Sequence, residues 1–184
     1  MKPRGAIPQD CSRCRLDRSR NNIVSGVGPR KCRIAFIGEA PGRDEDERGE
    51  PFVGRSGRLL DDALAEAGVS RDEVFITNLV RCRPPGNRRP RKDEKGACRG
   101  FLVKEIEETG VEVICALGET VARELIGVDE RMSDLVGRAF PIHLFGKDYT
   151  AVVAYHPAAC LYRRDKLPSF RNSVRCGLEA AGML

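Results

Sequence analysis

A carboxylate, an amide and an imidazole occupy matching places in this 184-residue sequence: Glu39 in RIAFIGEAPG, Asn78 in VFITN and His156 in AVVAYHP. Each stands at or just past the end of a short apolar run. A carboxylate positions or activates water, an amide donates and accepts hydrogen bonds at once, and an imidazole holds or moves a proton near neutral pH. Four cysteines form a second set. Cys11 and Cys14 are spaced C-x-x-C, while Cys82 and Cys98 bracket the basic stretch CRPPGNRRPRKDEKGAC. Four thiolates suit a tetrahedral zinc ion or an iron–sulfur cluster. The second pair is too widely spaced for a zinc ribbon, and spacing leaves zinc, a cluster and unrelated thiols all open. Whatever they bind, these thiols would fasten an Arg-rich arm and an Arg-rich loop, which cannot hold a shape alone. Cys115 lies inside an apolar run and reads as core. Cys32, Cys160 and Cys176 show no partner pattern and read as structural, as does His143 in FPIHLFG.

The elements that must position these residues are legible as alternating patterns. Four apolar runs predict strands over 33–38, 74–77, 113–117 and 151–155. Between them, Leu59, Leu60, Ala63, Leu64 and Ala67 predict a helix capped at Ser56 and stopped at Gly68. Phe101, Leu102 and Ile106 mark a second helix, Val121, Ala122 and Leu125 a third, and the tail after Pro168 a fourth. Strands apolar on both faces, alternating with helices, predict a three-layer α/β/α fold with a central four-stranded parallel sheet. In such sheets ligands bind beyond the carboxyl ends of the strands, which puts Glu39, Asn78 and His156 on one rim.

Composition narrows the class. Lys and Arg total 32 against 27 Asp and Glu, a net charge of +5. The excess is concentrated in residues 1–33, 83–97 and 163–175, and Arg, the better phosphate fork, far outnumbers Lys. No apolar run approaches the ~20 residues of a membrane span. The opening MKPRGAIPQDCSRCRLDRSR has no apolar signal-peptide stretch, so an intracellular protein with no membrane partner is expected. Disulfides are uncommon there, which turns the eight cysteines toward metal or buried thiols. The length suits one domain over 1–184. GEAPG lacks the Lys-Ser/Thr of a phosphate-binding Walker loop, and no G-x-G-x-x-G follows the first strand, so a nucleotide-binding enzyme ranks last.

Three segments, GEAPGRDEDERGEPFVGRSGRLL (38–60), ITNLVRCRPPGNRRP (76–90) and HPAACLYR (156–163), resemble the type-4 uracil-DNA glycosylases, in order and over almost the whole chain. The resemblance implies an α/β/α enzyme of DNA repair that flips uracil out of single- or double-stranded DNA and hydrolyses its N-glycosidic bond. It also implies a 4Fe–4S cluster on Cys11, Cys14, Cys82 and Cys98, with zinc as the alternative. A monomer is expected, and a sliding clamp is a further partner to consider.

Residue by residue, the resemblance implies that Asn78 reads the Watson–Crick edge of uracil and that Phe52 stacks on the base. Glu45 stands where the C5 methyl of thymine would lie. His156 faces uracil O2 as the bond breaks, and backbone N–H groups of the Gly38–Gly42 turn, Ala40 included, are candidates for further donors. Ala40 matches the place where better-known uracil glycosylases carry a water-activating Asp. Type-4 members lack that Asp, and the adjacent Glu39 becomes the candidate for positioning water. Leu161 is placed like the wedge that fills the gap left by the flipped nucleotide, with Arg163 and Arg164 toward phosphates. Tyr162 stands where relatives often have Arg. The competing readings are a metal-stabilised nucleic-acid-binding module without catalysis and a glycosylase for other deaminated bases.

Overall fold

The three runs that are apolar on both faces become three adjacent, fully buried strands of the sheet. β1 (Ile34–Gly38), β2 (Phe75–Asn78) and β3 (Val113–Leu117) are buried at every position. The computed structural model describes residues 7–127 and 129–184, so Lys2 and Arg4 of the basic arm lie outside the described residues. Two further strands, β4 (Ala139–Leu144) and β5 (Lys147–Ala154), complete a five-stranded sheet in the order β2–β1–β3–β5–β4.

The predicted four parallel strands are β2, β1, β3 and β5. The sheet is larger than expected by β4, which pairs antiparallel with β5 through a turn at Phe145 and Gly146, both at positive φ. Its sequence hides it. Residues of β4 alternate between exposed and half-buried up to a buried Leu144, and Pro141 sits among them, as an edge strand allows. His143 lies on this edge, exposed and paired with Asp148 at 2.7 Å.

Helices cover both faces. α2 (Arg55–Glu66) and α7 (Leu167–Ala180) bury Leu60, Leu64, Phe170, Val174 and Leu178 against Phe36, Ile76 and Cys115. α3 (Lys92–Thr109) and α4 (Glu119–Ile126) bury Leu102, Ile106, Val121 and Leu125 against Ile37, Ile114 and Ala116 on the other face. Short helices α1 (Arg43–Arg48), α5 (Met132–Leu135) and α6 (Pro157–Tyr162) lie in the connections. α2 begins two residues earlier than predicted, with Gly54 and not Ser56 as its cap. A tertiary contact sets that start, since Glu45 accepts the Gly54 N–H at 2.8 Å. Gly68 ends the helix as expected, at φ +77.

The N-terminal arm crosses the open edge of β2, where Val27 and Ile76 exchange main-chain hydrogen bonds of 2.9 and 2.8 Å. Asp46 of α1, fully buried, accepts from Asn21 N and Nδ2 and from Asn22 N. The arm is thereby tied to the loop that follows β1. Among the described residues no helix is long and apolar enough to cross a membrane.

Candidate active site

In the parallel register of β1 and β2, Gly38 stands opposite Asn78. Glu39 leaves the sheet one residue later, beside Asn78. His156, two residues past β5, caps α6 and reaches the same place. Glu39, Ala40, Glu45, Phe52, Asn78 and His156 all line one cavity of about 450 Å³. Gly38 does not line the cavity itself but packs directly against Asn78 and Phe52, which do, and a side chain there would collide with both. A Cβ at Gly38 would stand 2.5 Å from both Asn78 Oδ1 and Phe52 Cζ.

Two acceptors in this cavity have no partner. Glu39 Oε1 and Asn78 Oδ1 are buried and unpaired among the described residues. Buried polar atoms are normally satisfied, because leaving one bare costs about 1–3 kcal/mol. Both therefore suit a ligand that brings N–H or O–H groups to the rim.

His156 carries its own proton at a defined place. Its Nδ1 accepts the Ala158 N–H at 3.1 Å, which caps α6 and leaves the proton of the neutral ring on Nε2. Burial pushes the imidazole pKa down to about 4, so the ring is neutral at physiological pH. Nε2–H is thus a fixed neutral donor on the cavity wall.

Phe52 presents its ring beside His156, with ring centroids 6.0 Å apart. The ring belongs to a strained segment: Phe52 has φ +53, a conformation that costs a non-glycine residue about 1–3 kcal/mol. Glu45 helps to hold it. One carboxylate oxygen accepts from Val53 N at 3.0 Å and Gly54 N at 2.8 Å, and the other from Gly42 N at 3.1 Å. Glu45 therefore bridges the turn after β1 to the Phe52 loop while also facing the cavity.

Behind Asn78 lies a buried ion pair that sequence patterns do not reveal. Arg81, 1% exposed, donates to the Asn78 main-chain oxygen and pairs with Glu105 of α3 at 2.6 Å. Glu105 also accepts from Thr77 Oγ1 at 2.8 Å and Gly26 N at 2.9 Å. Removing one partner of such a pair strands the other charge, which costs about 3–5 kcal/mol. Glu105→Ala should accordingly lower the free energy of unfolding by about that amount, read by denaturant titration. A loss under about 1 kcal/mol would show that the pair contributes little.

The four cysteines singled out from the sequence gather on the far side of Arg81. Cys11, Cys14, Cys82 and Cys98 line one small cavity with Ile7, Ile23 and Phe101. All four thiols are free. Burial raises the pKa of Cys82 to about 11 and also raises that of Cys98, partly offset by Arg20 at the first and Arg81 at the second. Arg20 Nη1 stands 3.6 Å from Cys82 Sγ. Four thiols around an apolar cavity, with two guanidiniums to balance thiolate charge, fit the donor set of an iron–sulfur cluster. Among the described residues, no three His, Cys, Asp or Glu side chains are grouped so as to hold a single metal ion.

Known proteins carry the same arrangement of sequence. The profile of the uracil DNA glycosylase superfamily matches residues 25–178. The type-4 uracil-DNA glycosylase of Archaeoglobus fulgidus is 39% identical over 178 residues, covering 95% of this chain and 87% of that protein. That of Thermotoga maritima is 41% identical over 171 residues, 93% of this chain and 87% of that one. That of Pyrobaculum aerophilum is 41% identical over 157 residues, 83% and 80% respectively. The chain belongs to the type-4 uracil-DNA glycosylase family. The family resemblance read from GEAPG, ITN and HPAA is therefore correct, as is the α/β architecture.

Of the residues that the type-4 resemblance assigns to DNA, Leu161 lies outside the cavity. It is half-buried in an adjoining groove of about 310 Å³ with Arg58, Leu59 and Asp62. Arg55 lines both the groove and the cavity and so connects them. Arg163 is exposed and paired with Asp165 at 3.1 Å, and Arg164 is exposed. Tyr162, not Leu161, is the prominent apolar side chain here, at 85% exposure. The sequence reading also passed over Asn87, Arg88 and Arg89, which bring the loop between Cys82 and Cys98 to the cavity wall. The run RPPGNRRP was the available signal, since a loop held at both ends has to lie against something.

Proposed function

We propose that the protein draws uracil out of DNA into the 450 Å³ cavity and hydrolyses its N-glycosidic bond there, leaving an abasic site. Membership of the family makes the chain a glycosidic-bond hydrolase of DNA repair. What supports the particular site is the pair of buried, unpartnered acceptors, Asn78 Oδ1 and Glu39 Oε1, facing a cavity with a neutral imidazole donor.

The chemistry follows from what each group offers. Extrusion brings the base edge to Asn78, whose Oδ1 takes the N3–H while Nδ2–H donates to O4. Cytosine presents the opposite pattern and is rejected. The Phe52 ring stacks on the base, a contact indifferent to base identity. Glu45 closes the space a C5 methyl would need. As the bond to C1′ stretches, uracil gains negative charge and the sugar positive charge. His156 Nε2–H, already oriented by its Nδ1 bond to Ala158, donates to O2 and stabilises the leaving anion without reorganising. Glu39 orients water toward C1′ and favours the cationic sugar. Leu161 fills the vacated stack, and Arg163 and Arg164 meet phosphates, so binding weakens with salt.

Cys11, Cys14, Cys82 and Cys98 would hold a 4Fe–4S cluster, which fastens the basic loop beside the cavity. The protein's own residues perform every step above.

A cleavage assay tests this reading. The purified protein should release uracil, but not thymine, from a duplex with one uracil opposite guanine, producing an alkali-sensitive break. The preparation should be brown, with about four irons per chain. Intact protein that binds DNA and leaves uracil in place would overturn the proposal in favour of a binding module. Colourless, active protein containing one zinc would replace the cluster by zinc.

A further inference from the structure

The strained segment that carries Phe52 is gripped by two side chains of opposite charge. Glu45 takes the N–H groups of Val53 and Gly54 on one side. On the other, Arg71 donates to Pro51 O through Nη2 at 2.5 Å and to Phe52 O through Nη1 at 3.2 Å. Asp61 of α2 orients the same guanidinium, at 2.7 Å. Arg71 itself sits in a short turn whose cap is closed by Ser70 N donating to Glu73 at 2.8 Å. Phe52 O also presses on the first turn of α2, where a Cβ at Gly57 would stand 1.7 Å from it. The positive φ of Phe52 is therefore imposed from outside the segment, not chosen by it.

The geometry points to Arg71 as a positioning residue for the stacking ring. It does not line the cavity. Its two donors fix the carbonyls of Pro51 and Phe52, and with them the direction in which the ring leaves the backbone. Without the guanidinium, the segment relaxes toward negative φ and carries the ring away from Gly38 and Asn78. A planar fork is needed to reach two carbonyls and a carboxylate together, which a lysine ammonium cannot do in this geometry. This inference rests on the reading of Phe52 as the base-stacking ring.

A double-mutant cycle on the holoprotein separates the two claims. Phe52→Ala, Arg71→Ala and the double variant are compared with wild type in kcat and KM on a uracil-containing duplex, and in inhibition by free uracil. Thermal unfolding and iron content are measured alongside. Arg71→Ala should lower kcat/KM about tenfold, mainly through KM, and weaken uracil inhibition, within the range that one stacked base contributes. In the Phe52→Ala background the same change should cost less than about twofold, the mark of residues acting as one unit. Asp61→Asn, a milder surface change that leaves Arg71 in place, should shift KM in the same direction and covers the case of an Arg71 variant that does not fold. Equal losses in both backgrounds, or an unchanged KM in Arg71→Ala and Asp61→Asn, would overturn the positioning role while leaving the stacking reading intact. Phe52→Ala with wild-type kinetics would instead remove the stacking reading, and the positioning role with it.

Discussion

Asn78→Asp should lower kcat/KM on uracil-containing DNA by on the order of 10³-fold, about 4 kcal/mol of transition-state stabilisation. The substitution keeps shape and volume and changes one donor into an acceptor. Uracil O4, which the proposed pairing gives to Nδ2–H, would then face an oxygen across a cavity wall that is nearly dry, since Asn78 is 2% exposed. A site built to pair a substrate group discriminates strongly because its own polar atoms go unpaired with the wrong edge. The scaffold should survive, because the anchor on this residue is main-chain: Arg81 binds the Asn78 carbonyl oxygen, which the change leaves alone. Single-turnover cleavage, with thermal unfolding as the control for folding, reads the result. Discrimination against cytosine should narrow in the same variant, since a carboxylate accepts from the cytosine amine. A variant within about tenfold of wild type on uracil would mean that Asn78 is not the base reader.

The same residue shows what the sequence made legible. Asn78 was recognisable because VFITN is an unbroken apolar run ending in a polar residue, and strand ends in a parallel sheet face one rim. Glu39 and His156 were legible for the same reason, and all three line one cavity. β4 was not, because an edge strand with one wet face and a proline has no continuous apolar run. The start of α2 escaped because its cap is satisfied by Glu45, outside the helix and not adjacent to it. Arg71, Arg81 and Glu105 were hidden more deeply. In sequence they are ordinary charged residues, and their meaning comes from partners brought close only by folding: Phe52 O for one, Asn78 O for another. Periodicity reports which face of an element is buried. It carries no mark for a charge whose partner lies on another element.

His156 makes the most separable prediction, because its two nitrogens do different work. Nδ1 caps α6 and Nε2–H faces the cavity. Its pKa is held near 4 in the folded protein, against an ordinary histidine value of 6.5. Above pH 6.5 the ring is neutral in folded and unfolded chains alike, and its titration leaves stability unchanged. Between pH 6.5 and about 4 the unfolded chain takes up a proton that the folded one refuses, so stability falls as pH falls, by up to about 3 kcal/mol, and no further below that. Catalysis should behave differently: kcat should stay flat from pH 8 to about 5, since the working form is the neutral donor and it persists throughout that window. An inflection in kcat near 6.5 would contradict this. His156→Asn then splits the roles. Its side-chain oxygen can still accept the Ala158 N–H, for asparagine is among the best helix caps. The donor to O2 is lost, and kcat should drop about 10²–10³-fold, the cost of removing one preorganised donor from a developing anion. With no imidazole to titrate, the steep part of the stability curve between pH 6.5 and 4 should flatten in the same variant. Loss of the slope with kcat preserved would leave His156 as a helix cap alone. Loss of both places the leaving-group donor on Nε2.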